Sequence, residues 1–265
     1  MLSMKNILVP VVLSGRCGWA ARYASSLAKK FGAQLIFLNV GEQKNVNSID
    51  EFVEREVGAI RHKAVVIEGD PADRIIELAQ EYKTDLIVMS TYNVRFRPFL
   101  IGSVTAKVLH DAECPILTGV HHYNDSPQAP DAFRNIVCAI DNAPGCVPLL
   151  RWARDLTKAL GASLSLVHAL PAVDETSDNR GEVEVRRYLV DQAQKGFSAR
   201  FATEPEAVSV NLRGGGIATV VREAALAEHA DLVVIGRGHS DRALGRLRSS
   251  AYSIIRSSPC PVISV

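Results

Sequence analysis

The chain has 265 residues, of which 47% are hydrophobic and 22% charged, as is typical of a globular protein with a sizeable core. Thirty basic residues nearly balance 29 acidic ones, so the formal net charge of +1 provides no overall field for nucleic acid or an anionic membrane. The start "MLSMKNILVPVVLSG" has a short apolar run broken by Pro10, which argues against a signal peptide, and no run is long enough to span a membrane.

The first half of the chain alternates short apolar runs with longer segments of helical period. Between the runs, "CGWAARYASSLAKKF" and "PADRIIELAQEY" carry apolar residues three and four apart and predict helices. Asp70 and Pro71 predict the start of the second of these helices, and Gly32 the end of the first. Strands rich in Val, Ile and Leu are typical of a parallel sheet covered on both faces. They are predicted near residues 5–12, 34–40, 64–68, 85–90 and 115–120.

The second half repeats the first. "KNILVPV" and "LAKKFGAQLIFLNV" match "RNIVCAI" and "LTKALGASLSLVHA" at an offset of 129 residues. Further on, "DLIVMS" and "AECPILTGV" match "DLVVIG" and "SPCPVISV" at an offset of 146. The difference of 17 residues is extra length in the second half, where Glu182, Glu184, Arg186, Arg187 and Asp191 alternate in sign as on an exposed helix.

The repeat predicts two α/β domains in tandem, each a five-stranded parallel sheet flanked by helices. Residues 1–122 would form the N-terminal domain and residues 134–265 the C-terminal domain. Residues 123–133 between them are rich in Pro, Asn, Asp and Ser and lack apolar periodicity, which predicts a linker.

The five cysteines form no C-x-x-C pair and no cluster with the spacing of a zinc site. Their odd number favours a reducing compartment, and we therefore expect a cytoplasmic location. Cys17 and Cys146 stand at equivalent positions at the start of each first helix. A helix dipole there can lower the pKa of a thiol, so a redox role is an open alternative.

Several separated blocks of the chain resemble the universal stress protein domain. They are "KNILVPV", "EGDPADRIIELAQEYKTDLIVMS" and "GSVTAKVLHDAECPIL" in the first half, and "RNIVCAIDNAP", "GGGIATVVREAALAEHADLVVIGRG" and "SSPCPVISV" in the second. The resemblance implies Rossmann-like folds, a role in stress survival, and dimerisation through the last strand. In a tandem chain that pairing can occur between "PILTGV" and "PVISV" as an intrachain pseudodimer, and a homodimer of chains is a further alternative.

Some members of that family bind ATP or AMP and others bind neither. The binding members use an Asp after the first strand, near the base and ribose, and a loop of pattern G-x2-G-x9-G-[ST] after the fourth strand, near the phosphates. In the first half Val12 replaces the Asp, and Ser90 and Asn93 replace two glycines, so that only Gly102 and Ser103 match. We expect no nucleotide in this half.

The second half keeps more of the pattern. Asp141 and Gly236 fill their positions, His239 and Arg248 replace the other two glycines, and Ser249 supplies the hydroxyl. If the spacing between the second and third glycine positions is one residue longer, Ser250 supplies the hydroxyl instead. Arginines in this loop can bind phosphate through two hydrogen bonds each. The candidate ligand residues are Asp141, Ala169, Gly236, Arg237, Gly238, His239, Arg248, Ser249 and Ser250.

The resemblance, together with these residues, implies a non-catalytic stress response protein that senses ATP or AMP through its C-terminal half. The alternatives are a ligand-free adaptor that acts through protein association and, with less support, a slow ATPase, since no Walker lysine is present. Residues 239–241 have the types of a hydrolytic triad, but consecutive side chains diverge. A metal site at His121 and His122, with Asp125 and Asp131, is a further hypothesis, and we expect neither a nucleic acid nor a membrane partner.

Overall fold

The computed structural model of the chain describes residues 2–13, 17–41, 46–91, 101–119, 133–143, 145–171, 173, 178–237 and 249–265. The described elements of the N-terminal half are β1 (Asn6–Pro10), α1 (Gly18–Phe31), β2 (Gln34–Val40), α2 (Asn47–Val57), β3 (His62–Ile67), α3 (Pro71–Glu81), β4 (Leu86–Ser90), α4 (Ser103–Asp111) and β5 (Ile116–Gly119). Those of the C-terminal half are β6 (Asn135–Ala139), α5 (Cys146–Leu160), β7 (Ser163–Leu170), α6 (Arg180–Arg200), β8 (Asn211–Gly214), α7 (Ile217–Ala227), β9 (Leu232–Ile235), α8 (Ser249–Ser257) and β10 (Val262–Ser264). All five strands predicted for the first half are therefore present.

The ends of the helices follow from local chemistry. The Asp70 carboxylate accepts hydrogen bonds from two backbone N–H groups of the first turn of α3, and Pro71 occupies that turn where no N–H is needed. Helices α1 and α5 end at Gly32 and Gly161, whose φ angles of +66° and +72° lie in the left-handed region. The predictions for the start of α3 and for the end of α1 are confirmed.

The strands form one sheet of ten in the order β3-β2-β1-β4-β5-β10-β9-β6-β7-β8. Neighbouring strands are parallel except at the centre, where β5 and β10 run antiparallel with Leu117 opposite Ile263. The hydroxyl of Thr118 donates to the carbonyl of Val262 across this junction (3.2 Å). The two halves thus pair through their last strands, and the expected intrachain pseudodimer is confirmed.

Helices cover both faces of this sheet. Helices α1, α2, α5 and α6 pack on one face, and α3, α4, α7 and α8 pack on the other. Successive residues of β1 therefore enter different cores: Ile7 and Val9 face the first set of helices and Leu8 the second, all fully buried. This arrangement explains why the strands read as continuous apolar runs rather than alternating ones.

The extra residues of the second half lengthen one helix. Helix α6 has 21 residues, whereas α2 at the corresponding place has 11. Its buried residues are Ala193 and Phe197, in its second half. Val185 and Tyr188 in its first half are 54% and 62% exposed, so the predicted exposed helix is present and also carries apolar side chains.

Most of the predicted linker lies outside the described residues, so the boundaries at residues 122 and 134 stay predictions. Within the part of the chain that the structure describes, no helix is both long and apolar enough to cross a lipid bilayer.

Candidate functional site

A cavity of about 530 Å³ lies at the carboxyl ends of the C-terminal strands, the edge at which open α/β sheets bind ligands. Its volume is within the range of small-molecule sites. We call it the C-terminal cavity. Its walls come from β6, β7 and β9, from the starts of α5, α7 and α8, and from the last residue of the chain. The lining residues are Ala139, Ile140, Asp141, Ala143, Gly145, Cys146, Pro148, Leu149, Trp152, Val167, His168, Ala169, Ile217, Val221, Ile235, Gly236, Ser250, Ala251, Ile254 and Val265.

Asp141 provides the acidic group of the cavity. It lies two residues after the end of β6, and one carboxylate oxygen accepts a hydrogen bond from the backbone N–H of Ala143 (3.2 Å), which turns the chain towards α5. The residue is exposed. A carboxylate held in this way at the mouth of an apolar cavity can accept hydrogen bonds from hydroxyl or amino groups of a ligand.

His168 and Ala169 form the wall contributed by β7. The Nδ1 atom of His168 lies 2.8 Å from the carbonyl oxygen of Ile140, and its ring meets that of Phe197 edge-on with centroids 5.0 Å apart. Because a carbonyl oxygen only accepts, Nδ1 carries a hydrogen, and Nε2 of the neutral ring is an acceptor. The sequence pattern predicted Ala169 here and missed His168.

One signal in the repeat points to His168. Asn39 occupies the equivalent position of β2 and donates to the carbonyl of Val11 (2.9 Å), which is equivalent to Ile140. Both halves therefore place a polar side chain near the end of the second strand, where it forms a hydrogen bond with the carbonyl of a residue that follows the first strand. In the C-terminal half this side chain also lines the cavity.

Two helices begin at the rim of the cavity. Helix α7 starts at Ile217 after Gly216, which provides no side-chain cap for the N–H groups of the first turn. Among the described residues, the atom nearest to a Cβ on Gly216 would be the hydroxyl oxygen of Thr219, 3.8 Å away. Helix α8 starts at Ser249, and Ser250 lines the cavity. The starts of helices attract anions, because uncapped N–H groups and the helix dipole carry partial positive charge there.

Four predicted residues come together in this cavity: Asp141, Ala169, Gly236 and Ser250. A Cβ atom on Gly236 would lie 3.3 Å from a methyl carbon of Leu149, so glycine keeps this part of the wall open. Gly238, His239 and Arg248 lie outside the described residues, as does the side chain of Ser249.

Arg237 lies elsewhere, contrary to the expectation that it is near phosphate. Its guanidinium donates to the carbonyl oxygens of Ala112 (2.6 Å) and Cys114 (2.8 Å) in the N-terminal half, and the residue is 5% exposed. Side chains of consecutive residues in an extended segment point to opposite sides. Gly236 faces the cavity, and the Arg237 side chain consequently reaches into the other half.

The equivalent region of the N-terminal half is organised differently. Val12 stands in the position of Asp141 and is 63% exposed. The hydroxyl of Thr105 in α4 donates to the carbonyl of Ser90 (3.1 Å), and that of Thr91 donates to the carbonyl of Gly119 (2.5 Å). Hydroxyl groups at the start of α4 and the end of β4 therefore bond within this half.

Burial opposes the redox alternative. It raises the pKa of the Cys146 thiol, although the Arg200 guanidinium acts in the opposite direction. Burial likewise raises the pKa of Cys17, more than the hydrogen bond from the N–H of Val12 lowers it. The lowering of the thiol pKa that was expected from the helix dipoles is therefore outweighed by burial. Both thiols are protonated at neutral pH, whereas reactive cysteines are thiolates.

The metal hypothesis concerns residues that lie outside the described ones: His121, His122, Asp125 and Asp131. The same is true of residues 239–241. Among the described residues, no group of three His, Cys, Asp or Glu side chains is arranged to hold a metal ion.

A doubly wound α/β unit that occurs twice in one chain, with a cavity at the carboxyl ends of the strands of one copy, defines a tandem Rossmann-like protein. The sequence model of the Universal stress protein family matches residues 47–118 and 132–265. The chain therefore belongs to the universal stress protein family.

Individual relatives match parts of the chain. A universal stress protein from Methanothermobacter thermautotrophicus is 46% identical over 57 residues, which are 22% of this chain and 39% of the relative. The universal stress protein MJ0531 from Methanocaldococcus jannaschii is 28% identical over 136 residues, covering 43% of this chain and 80% of the relative. The shared segments thus amount to less than half of the chain in each case.

Solved structures match both halves together. The protein PA1789 from Pseudomonas aeruginosa, described as functionally unknown, superposes with a TM-score of 0.72 at 17% identity and covers 99% of this chain and 92% of its own. A universal stress protein from Archaeoglobus fulgidus gives 0.65 at 22% identity, covering 99% and 96%. At these identities the likeness establishes the tandem fold.

Proposed function

We propose that this chain binds an adenine nucleotide, ATP or AMP, in its C-terminal cavity and acts as a non-catalytic sensor in the stress response. The observation that carries the proposal is the cavity itself, which joins Asp141, Gly236 and Ser250 to the starts of α7 and α8. The N-terminal half acts as its structural partner.

The chemistry of the walls supports this class of ligand. Ile140, Leu149, Trp152 and Val167 are among the apolar lining residues, and they offer a surface on which a planar base can pack. The Asp141 carboxylate suits ribose hydroxyls and would repel phosphates. The phosphates would accordingly lie away from it, towards the starts of α7 and α8.

A second function has its own supporting observation. The first half of α6 exposes Val185 and Tyr188, and exposed apolar side chains on an extended helix are a feature of protein contact surfaces. This surface favours a ligand-free adaptor that acts through protein association. For both functions we propose a cytoplasmic location, which is supported by five cysteines that are all free thiols.

Calorimetric titration separates the two functions. The chain, freed of carried-over nucleotide, is titrated with ATP and with AMP, with and without magnesium. We expect saturable heat, and we expect Asp141→Asn to weaken binding by about tenfold or more, since a hydrogen bond to a charged group contributes about 1.5 to 3 kcal/mol.

The matched control is Val12→Ala, which changes the equivalent position of the N-terminal half and should leave affinity unchanged. Equal effects of the two substitutions would contradict the assignment of one site to the C-terminal half. Absence of both heat and thermal stabilisation at millimolar nucleotide would remove the sensor and leave the adaptor.

A further inference from the structure

Two segments of the cavity wall also contact the N-terminal half. Gly236 lines the cavity, and the next residue, Arg237, donates to two carbonyl groups in the segment between α4 and β5. Ala251 lines the cavity, and the next residue, Tyr252, donates from its hydroxyl to the carbonyl of Ala106 in α4 (3.1 Å). At both places a single stretch of backbone forms the cavity on one side and the interface between the halves on the other.

The Arg237 contact caps the end of a helix across the interface. Ala112 is the C-cap residue, directly after the last residue of α4, and its carbonyl accepts one of the two guanidinium hydrogen bonds. A cation is favourable there, because the carboxyl end of a helix carries partial negative charge. The backbone N–H of Arg237 donates to the carbonyl of Val265 (2.9 Å), which holds the same residue to the end of the chain beside the cavity.

Helix α4 is therefore held from the C-terminal half at two points, Ala106 and Ala112, about 9 Å apart along its axis. It is also held to its own half. Lys107 forms ion pairs with Asp73 (2.6 Å) and Asp70 (3.7 Å) at the start of α3. If the cavity wall becomes more or less rigid at either contact, the change therefore reaches α4 and, through Lys107, the start of α3.

We propose that occupancy of the C-terminal cavity is transmitted through Arg237 and Tyr252 to α4, so that the N-terminal half, which we expect to bind no nucleotide, is the responding part of the sensor. This inference rests on the proposed function. A ligand that contacts Gly236 and Ala251 restricts the motion of the backbone that carries Arg237 and Tyr252. Local unfolding of α4 consequently becomes less frequent. The coupling is reciprocal, so a change in α4 also affects the cavity.

Hydrogen exchange of the full chain tests this transmission. Exchange of the amides of residues 103–112 is measured with and without saturating ATP, in the wild type and in two variants. We expect ATP to slow exchange in this helix several-fold in the wild type. In Tyr252→Phe this slowing of exchange should be smaller, and in Arg237→Met it should be absent. Calorimetry should still detect ATP binding to both variants. Tyr188→Phe, which removes a hydroxyl from the exposed face of α6, is the matched control and should respond as the wild type does.

The outcomes separate the two proposals. If calorimetry detects no ATP binding, both the sensor function and the transmission fail. If ATP binds but exchange in residues 103–112 does not change, or changes as much in Tyr252→Phe and in Arg237→Met as in the wild type, the transmission alone is overturned. Should Arg237→Met not fold, Tyr252→Phe decides the matter, because the loss of one hydroxyl at a half-buried position leaves the packing of α8 intact.

Discussion

The indole ring of Trp19 lies directly against Gly119, so that a Cβ atom on Gly119 would come within 2.8 Å of three of its ring carbons. In the repeat, Trp19 is equivalent to Pro148 and Gly119 to Val265, and both of these residues line the C-terminal cavity. An indole thus fills, in one half, the position at which the other half has an open cavity. This difference is a steric reason to place the ligand in the C-terminal half.

Transplanting this pair should close the cavity. In Pro148→Trp combined with Val265→Gly, we expect the indole to pack as Trp19 does, so that nucleotide binding is lost while the protein stays folded. Calorimetry and thermal unfolding measure the two effects. Pro148→Ala combined with Val265→Gly is the control and should still bind. Wild-type affinity in the tryptophan variant would show that the ligand does not occupy this space.

The two tryptophans of the chain provide a second test, because Trp152 lines the cavity and Trp19 is buried in the other half. A base packed near Trp152 changes the surroundings of its indole, and nucleotide should therefore alter the intrinsic fluorescence. We expect the change to persist in Trp19→Phe and to vanish in Trp152→Phe. The reverse pattern would place the nucleotide in the N-terminal half.

Arg237 should also contribute to stability. Arg237→Met leaves the buried carbonyl of Ala112 and the part-buried carbonyl of Cys114 without this donor, and we expect the free energy of unfolding to fall by about 2 to 3 kcal/mol. Urea denaturation measures the loss. Arg237→Lys should give an intermediate value, since an ammonium group lacks the planar fork that reaches two acceptors. An unchanged unfolding midpoint in the methionine variant would contradict the structural role.

Alkaline pH should destabilise the protein through buried thiols. Burial raises the pKa of Cys138 from 9.0 to about 12, so the folded state holds this proton more tightly than the unfolded state does. The resulting stability is complete below pH 9 and is lost between pH 9 and about 12. By about pH 10 this residue alone should lower the free energy of unfolding by about 1.4 kcal/mol.

Cys138→Ala should therefore lose less stability than the wild type between neutral pH and about pH 10, although the cavity left by the thiol lowers its stability at every pH. Val137→Ala, which makes a similar cavity one residue earlier in β6, should keep the wild-type pH dependence. If both variants show the same dependence, Cys138 does not titrate as expected. Cys114 and Cys260, with pKa values raised by burial to about 11 and about 12, should contribute to the alkaline loss in the same direction.

Most of the fold could be predicted from the sequence, because its signals are local or repeated. The central strand pair was implied by the resemblance to the universal stress protein domain, whereas continuous apolar runs indicate strands buried on both faces and Asp70 with Pro71 indicates a helix start. These features depend on the hydrophobic period and on backbone chemistry, which a single sequence displays directly.

The site was only partly accessible to the same reasoning. Asp141 and Gly236 follow strands at positions that a motif can fix, whereas the partners of Arg237 are carbonyl oxygens more than 120 residues away in the chain. Backbone acceptors are present at every residue and leave no mark in a sequence. His168 was missed because its role depends on which face of β7 meets the cavity, and the clue was its equivalence to Asn39.

The antiparallel pairing of β5 with β10 has a consequence for how the two halves diverge. In an assembly of two identical chains every substitution appears twice, and a tryptophan that blocks one site blocks both. Here the partners at the junction are separate segments of one polypeptide, so Trp19 and Val12 occur once and leave Pro148 and Asp141 untouched. Covalent linkage thereby permits one copy to give up ligand binding and specialise, while the other keeps its cavity.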